Sequence, residues 1–356
     1  MSQGAGRVRR VVPVIAAGLL VVLVAGLWWG LPLPDDTAFS GDTQGTTYSI
    51  KIAAPLRDDQ RRYLEELIAR RLDEIDREMS IYREDSELSK FNRLDSVEAV
   101  PASQDLIEVF QLSRSVSEVS GGAFDVTVAP LVAAWGFGPK AKGETSAPSD
   151  AVLADVKARV GYDKVEVDAK RGTLRKTVAG VTCDLNAIAQ GYTVDKLAAS
   201  LLGLTYHNYV VEVGGEVRAR GRNTRGIPWQ VAIEKPVFGG SELEEVIPLS
   251  NMSLSTSGDY RNYREQDGER ISHEIDPHTG HPVIHHLASV SVLHPQCALA
   301  DAYATALMVL GPKKGFELAV SQELAALFIT SEQDAGFVTM ATPEWERLVR
   351  EGGAKK

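Results

Sequence analysis

An uncharged run of nineteen residues, VVPVIAAGLLVVLVAGLWW at positions 11–29, divides this 356-residue chain into two unequal parts. As a helix the run reaches about 28 Å, close to the thickness of a bilayer's hydrocarbon core. Arg7, Arg9 and Arg10 precede it, and Trp28 and Trp29 close it. Basic residues stay on the cytoplasmic side and tryptophans settle at the interface, so the sequence predicts an internal N-terminus, one span and an exported remainder. A cleaved signal peptide would have a shorter apolar core and a small-x-small site, and none stands out after Gly26. The organisation expected is a cytoplasmic N-terminus (1–10), a transmembrane anchor (11–29), a linker marked by Pro32, Pro34 and Gly41 (30–42), a folded domain (43–346) and a tail (347–356).

The composition, 44% hydrophobic and 24% charged, is that of a globular protein. A net charge of −10 argues against a broad grip on nucleic acid phosphates. A phosphorylated ligand would have to be held locally, through a metal ion and backbone N–H groups. Cys183 and Cys297 are the only cysteines; both sit among apolar residues and read as buried small hydrophobes rather than a disulfide.

Residues 47–52 alternate as a strand. Leu64, Leu67, Ile68, Leu72, Ile75 and Met79 recur at helical spacing, which predicts a helix over 58–79. Ser103 and Ser149 can cap further helices ending near Gly121 and Gly161. Residues 164–176 resemble a hairpin. Strands are expected at 181–185, 209–213, 216–220, 229–234, 246–249, 270–275 and 289–293. Helices are expected at 188–202 and 298–310, the second stopped by Gly311-Pro312. Hairpins and helices without a regular βαβ rhythm indicate an α+β fold, one large catalytic domain with mixed sheets and flanking helices.

Several segments carry chemistry. In ADAYAT, Asp301 and Thr305 lie four apart on a predicted helix and can present two oxygens to one hard cation such as Mg2+. The same pair also suits a dipole-favouring Asp and a Thr bonded back to a carbonyl. In DLNAIAQGYTVD (184–195), Gly191 stands near a helix entrance, where free N–H groups suit an anion. The SLSTSGD segment (253–259) reads as a polar loop or a cradle for sugar or phosphate. His273 falls at a predicted strand end, where an imidazole can take a proton at neutral pH or serve as a hydrogen-bonded structural group. His278, His281, His285 and His286 raise zinc, but Pro277, Gly280 and Pro282 make the segment a turn, and no HExxH or paired-Cys pattern accompanies it.

Taken together, the segments resemble the ApbE family of FAD:protein FMN transferases. The pieces fall in the family's order: GTTY (45–48), MSIYREDSELSKFN (79–92), GGAFDVTVAPLVAAWGFG (121–138), the DLNAIAQGYTVD stretch, VGGEVRARG (213–221), PWQVAIEKP (228–236), STSGDYRNY (255–263), SHEIDPHTGHPV (272–283) and ADAYAT (300–305). The resemblance implies FAD as substrate and Mg2+ as cofactor. Asp301 and Thr305 match the metal's side-chain ligands, and Thr193 falls where a backbone carbonyl completes the site. Gln44, Ser80, Ile81, Tyr82, Ala123, Phe124, Asp125, Gln190 and Ser257 match cofactor-binding positions, and His273 matches both the binding set and the catalytic histidine. Relatives commonly carry Lys at Gln190 and Met at Gln44. The implied reaction moves FMN from FAD to a Thr or Ser hydroxyl of an acceptor protein and releases AMP. The implied acceptors are subunits of respiratory complexes, and the implied location is the periplasmic face of a bacterial inner membrane, on a single N-terminal anchor. Two rivals use the same ligand: a Mg2+-dependent FAD pyrophosphatase giving FMN and AMP, and a non-catalytic periplasmic FAD-binding protein.

Overall fold

The computed structural model describes residues 36–138, 147–236, 242–258, 263–266, 269–332 and 336–354. The expected cytoplasmic N-terminus and transmembrane anchor lie outside the described residues. Among the described residues no helix is long and apolar enough to cross a membrane.

The described chain opens with a hairpin, β1 (Thr37–Thr43) and β2 (Thr46–Ile52). β1 takes up the second half of the segment read as a linker, from Thr37 onward, and Phe39 within it is buried. Polar residues and Gly41 hid the strand, because β1 lies at a sheet edge where alternate side chains face solvent. Helix α1 (Asp58–Met79) buries the six apolar residues that foretold it, and α2 (Glu87–Arg93) follows. The expected serine caps are present: Ser103 begins α3 (Gln104–Val119), and, after β3 (Val100–Pro101) and α4 (Ala129–Ala134), Ser149 begins α5 (Asp150–Lys157). The hairpin β4 (Val165–Asp168) and β5 (Thr173–Lys176) joins β3 in a three-stranded sheet.

Residues 181–185 pair with no strand. The Asn92 side chain takes the neighbour's place, donating Nδ2 to the Cys183 carbonyl at 2.8 Å and accepting the Cys183 N–H at 2.7 Å. Helix α6 (Asn186–Gly203) leads to β6 (Tyr209–Val213) and β7 (Glu216–Arg220). The ribbon β8 (Trp229–Lys235) and β9 (Glu242–Leu249) comes next. β10 (Met252–Gly258) replaces the expected polar loop: Ser253 and Ser255 are fully buried, and their small side chains let a helix pack closely on the strand.

The short hairpin β11 (Tyr263–Gln266) and β12 (Glu269–Ser272) is followed by β13 (Leu287–His294). α7 (Cys297–Ser321) consists of two helical stretches: the first stops at Gly311 as expected, because φ 77° and ψ 180° there are not helical, and a second follows to Ser321. Pro312 cannot donate to the Met308 carbonyl, so His285 Nε2 donates to it at 2.8 Å across the break. β14 (Ala325–Glu332), β15 (Gly336–Ala341) and α8 (Pro343–Ala354) complete the domain, and α8 occupies most of the expected tail.

Eight strands form the central sheet in the order β1-β2-β6-β7-β10-β13-β14-β15. Every ladder described is antiparallel, where the sequence led to mixed sheets; the hairpin connections never require a parallel crossover. Helices α1, α6 and α7 cover one face, and the β8–β9 ribbon with α8 covers the other. Cys183 and Cys297 are buried free thiols, and burial pushes both above the ordinary thiol range.

Candidate functional site

A cavity of about 1190 Å³ opens where the β1–β2 turn, the C-terminal end of α1, the first turn of α6, the β6–β7 turn, β8, the end of β10, residues 273–277 and α7 meet. Of the residues singled out from the sequence, Gln44, Ser80, Tyr82, Ala123, Phe124, Asp125, Gln190, Ser257, His273, Asp301 and Thr305 line it. Ile81 and Thr193 do not. Ile81 packs into the core between its two cavity-lining neighbours, and Thr193 is fully buried on α6.

Local structure explains each placement. Gln44 (φ 49°) and Gly45 (φ 72°) form a two-residue hairpin turn with both residues left-handed, which projects Gln44 into the cavity. Gln44 Nε2 donates to Thr193 Oγ1 at 2.8 Å, and that hydroxyl donates to the Ala189 carbonyl at 2.7 Å. The Ser80 carbonyl accepts from Ser86 Oγ at 2.5 Å and Ser89 Oγ at 3.2 Å, holding the bend that puts Ser80 and Tyr82 in the wall. Asp125 Oδ1 accepts from the Thr127 N–H and hydroxyl at 2.7 and 2.6 Å.

The two ends of the ADAYAT pair have different surroundings. Thr305 Oγ1 lies 3.2 Å from Ser257 Oγ at the cavity wall. Asp301 is buried and accepts the Gly191 N–H at 3.1 Å; burial pushes its carboxyl up to about 7 against that single donor. Ala187, in the first turn of α6, lines the cavity, and Thr193 does not. Asp195 steadies this arrangement: its Oδ2 accepts the Ala298 N–H at the start of α7 at 3.0 Å, while Arg218 pairs with the other oxygen. Gly191 serves helix contact more than anion approach, since a Cβ there would stand 2.5 Å from the Cys297 carbonyl oxygen.

His273 leaves β12 and meets the Phe137 ring edge-on at 6.5 Å between centroids. The neighbouring histidines serve elsewhere: His278 Nε2 bonds the Gly121 carbonyl, His281 packs on Trp135 and His285 bridges the α7 break. Sequence reasoning missed Asp184, Arg83 and Glu216 as wall residues. Asp184 accepts the Asn186 N–H at 2.8 Å, and burial pushes its carboxyl up to about 6. An Asp two residues before a helix start was the available signal.

Among the described residues, seven carboxylates (Asp76, Asp125, Asp184, Glu216, Glu234, Glu274 and Asp301) and one guanidinium, Arg83, line the cavity. Arg83 is itself paired with Asp73, Asp76 and Asp85. A cation would offset the charge of a diphosphate beside these carboxylates. Among the described residues no three His, Cys, Asp or Glu side chains converge as a metal cage. One carboxylate, one hydroxyl and a carbonyl instead suit a hard cation that completes its shell from ligand oxygens.

Residues 44–328 match the model of the ApbE family. A Haemophilus influenzae protein named FAD:protein FMN transferase is 42% identical over 317 residues, covering 87% of this chain and 91% of its own. Its Escherichia coli K12 namesake is 38% identical over 316 residues, covering 88% and 89%. Among solved structures, flavin transferase ApbE from Vibrio cholerae matches with a TM-score of 0.80 at 39% identity, over 88% of this chain and 99% of that one. The apo form of Pseudomonas stutzeri flavinyl transferase ApbE matches with a TM-score of 0.80 at 37% identity, over 90% and 99%.

Proposed function

Because the chain belongs to the ApbE family, as an FAD:protein FMN transferase, we propose that it moves FMN from FAD to a Thr or Ser hydroxyl of an acceptor protein, with Mg2+ as cofactor. The observation that carries this reading is the convergence of His273, which follows β12, with Asp301 and Thr305 of α7 on one cavity. The acceptor hydroxyl attacks the phosphorus on the riboflavin side of the diphosphate. A new O–P bond forms, the P–O bond to the adenylate breaks, and AMP leaves. His273 takes the hydroxyl proton. Mg2+ held by Asp301, Thr305 and a carbonyl from the first turn of α6 would neutralise diphosphate charge, which the carboxylate-rich wall cannot do. Tyr82 and Phe124 offer aromatic surface to the flavin ring, and Phe137 restrains the His273 imidazole.

The sequence alone supports the location: an anchor at residues 11–29 would hold the domain at the periplasmic face, near acceptors such as respiratory-complex subunits. Incubation with FAD, Mg2+ and an acceptor separates the readings. A fluorescent acceptor supports transfer; FMN and AMP with an unlabelled acceptor support a pyrophosphatase; bound but intact FAD supports a carrier.

A further inference from the structure

Helix α7 carries both side chains assigned to the metal, yet its own sequence does little to fix where it begins. Gln296, the residue before its first turn, makes no side-chain cap among the described residues, and the turn from Cys297 to Ala300 holds no acid. The N–H groups of a first turn have no partner within their helix and take an acceptor from outside it. Asp195 of α6 supplies one. Its Oδ2 accepts the Ala298 N–H at 3.0 Å, and its charge suits the positive end of the α7 dipole. Arg218 of β7 pairs with the other oxygen and fixes the orientation of the carboxylate. Cys297 is seated on β7 as well, its thiol donating to the Val217 carbonyl at 3.6 Å.

The same side of α6 meets α7 a second time. Gly191 and Asp195 lie four apart and so stack on one face of α6. Gly191 gives a backbone donor to the Asp301 carboxylate at 3.1 Å, and Asp195 gives a carboxylate to a backbone donor of α7. Ala298 and Asp301, the two α7 partners in this exchange, lie within one turn of each other. Together the two bonds fix both the rotation of α7 about its axis and its position along it. Asp301 and Thr305 share a face of α7 and move together with that setting. We propose that Asp195, held by Arg218, is a positioning residue for Mg2+: it anchors the start of α7 so that Asp301 and Thr305 meet the ion. The proposal rests on the Mg2+ part of the transferase reading. Mg2+ tolerates little departure from octahedral geometry, so a loosened α7 lowers metal affinity as well as stability.

Thermal melting of the full chain with saturating FAD, at increasing Mg2+, reads binding of the ion independently of acceptor labelling. Asp195→Ala is expected to raise the Mg2+ concentration at the midpoint of this stabilisation roughly 10–100-fold. Asp195→Asn keeps an oxygen for the Ala298 N–H but loses the ion pair with Arg218, and its midpoint should fall between the two. Kd for FAD in chelator, read by flavin fluorescence, stays unchanged. A lower melting temperature in chelator with an unchanged Mg2+ midpoint would make Asp195 merely structural and overturn the proposal. If Asp195→Ala does not fold, Asp195→Asn decides by the same criterion. A wild-type protein that Mg2+ does not stabilise would overturn the metal reading itself, and this proposal with it.

Discussion

The Gly191 backbone N–H donates to Asp301 Oδ2 at 3.1 Å, tying the first turns of α6 to the α7 carboxylate that faces the cavity. The tie requires glycine, because a Cβ at 191 would meet the Cys297 carbonyl oxygen at 2.5 Å and Asp301 Cβ at 2.9 Å. Two backbones in contact cannot yield as a flexible side chain can. Gly191→Ala is expected to cost about 1–3 kcal/mol of stability by overpacking, measured by urea unfolding, and to raise the Mg2+ concentration needed for transfer. A variant with wild-type stability and Mg2+ dependence contradicts the tie.

Asp301 gives a pH prediction for the metal-free protein. Burial raises its folded pKa from 3.8 to about 7, so the folded state binds this proton more tightly than the unfolded state. The stabilisation is fully present below about pH 4 and is lost as pH rises towards 7, at up to roughly 1.4 kcal/mol per pH unit. In chelator, Asp301→Asn should flatten this slope and exceed wild-type thermal stability at pH 8. The same variant should lose Mg2+-dependent transfer. Parallel melting curves for the two proteins from pH 4 to 8 would contradict the assignment.

The division between what the sequence disclosed and what it hid has physical causes. α1 was legible because Leu64 to Met79 repeat on one helical face, and the Ser103 and Ser149 caps act within three residues of themselves. Residues 181–185 carry strand-like burial, with Val181, Cys183 and Leu185 inside, but their hydrogen-bonding neighbour is a side chain 91 residues away in sequence, which no local pattern records. β10 looked like a polar loop or a ligand cradle because serines, Ser253 and Ser255, flank its one buried aliphatic residue, Leu254. At the site, the motifs located the cavity wall correctly in most positions. Thr193 is buried on α6, where its hydroxyl joins Gln44 to the Ala189 carbonyl, and the Gly191–Asp301 bond close to it is a tertiary contact that no local pattern records.

The hairpin β1–β2 sets the limit of N-terminal truncation. Removing residues 1–35 should leave the domain folded and active on a soluble acceptor. Removing residues 1–42 deletes β1 and with it Phe39, which packs in the core beneath α1. Loss of a buried Phe alone costs about 3–5 kcal/mol, so the shorter protein should melt well below the longer one. Equal melting temperatures would show that β1 is dispensable.

His273 is where the mechanism is most exposed to test. A Thr hydroxyl is a weak nucleophile at neutral pH, so His273→Ala should slow transfer by roughly 10²–10⁴-fold. FAD affinity should change little, since the diphosphate depends on the α6–α7 oxygens. Fluorescence titration beside acceptor labelling separates the outcomes: affinity lost together with rate makes His273 a binding residue, and no change in either makes it structural.

Mass spectrometry of an acceptor protein, after incubation with this enzyme, FAD and Mg2+, tests the central claim most directly. The expected result is an acceptor heavier by one FMN group, attached at a Thr or Ser, with one AMP released per modified chain and neither product formed in chelator. An unmodified acceptor accompanied by free FMN and AMP would contradict protein transfer and leave a pyrophosphatase.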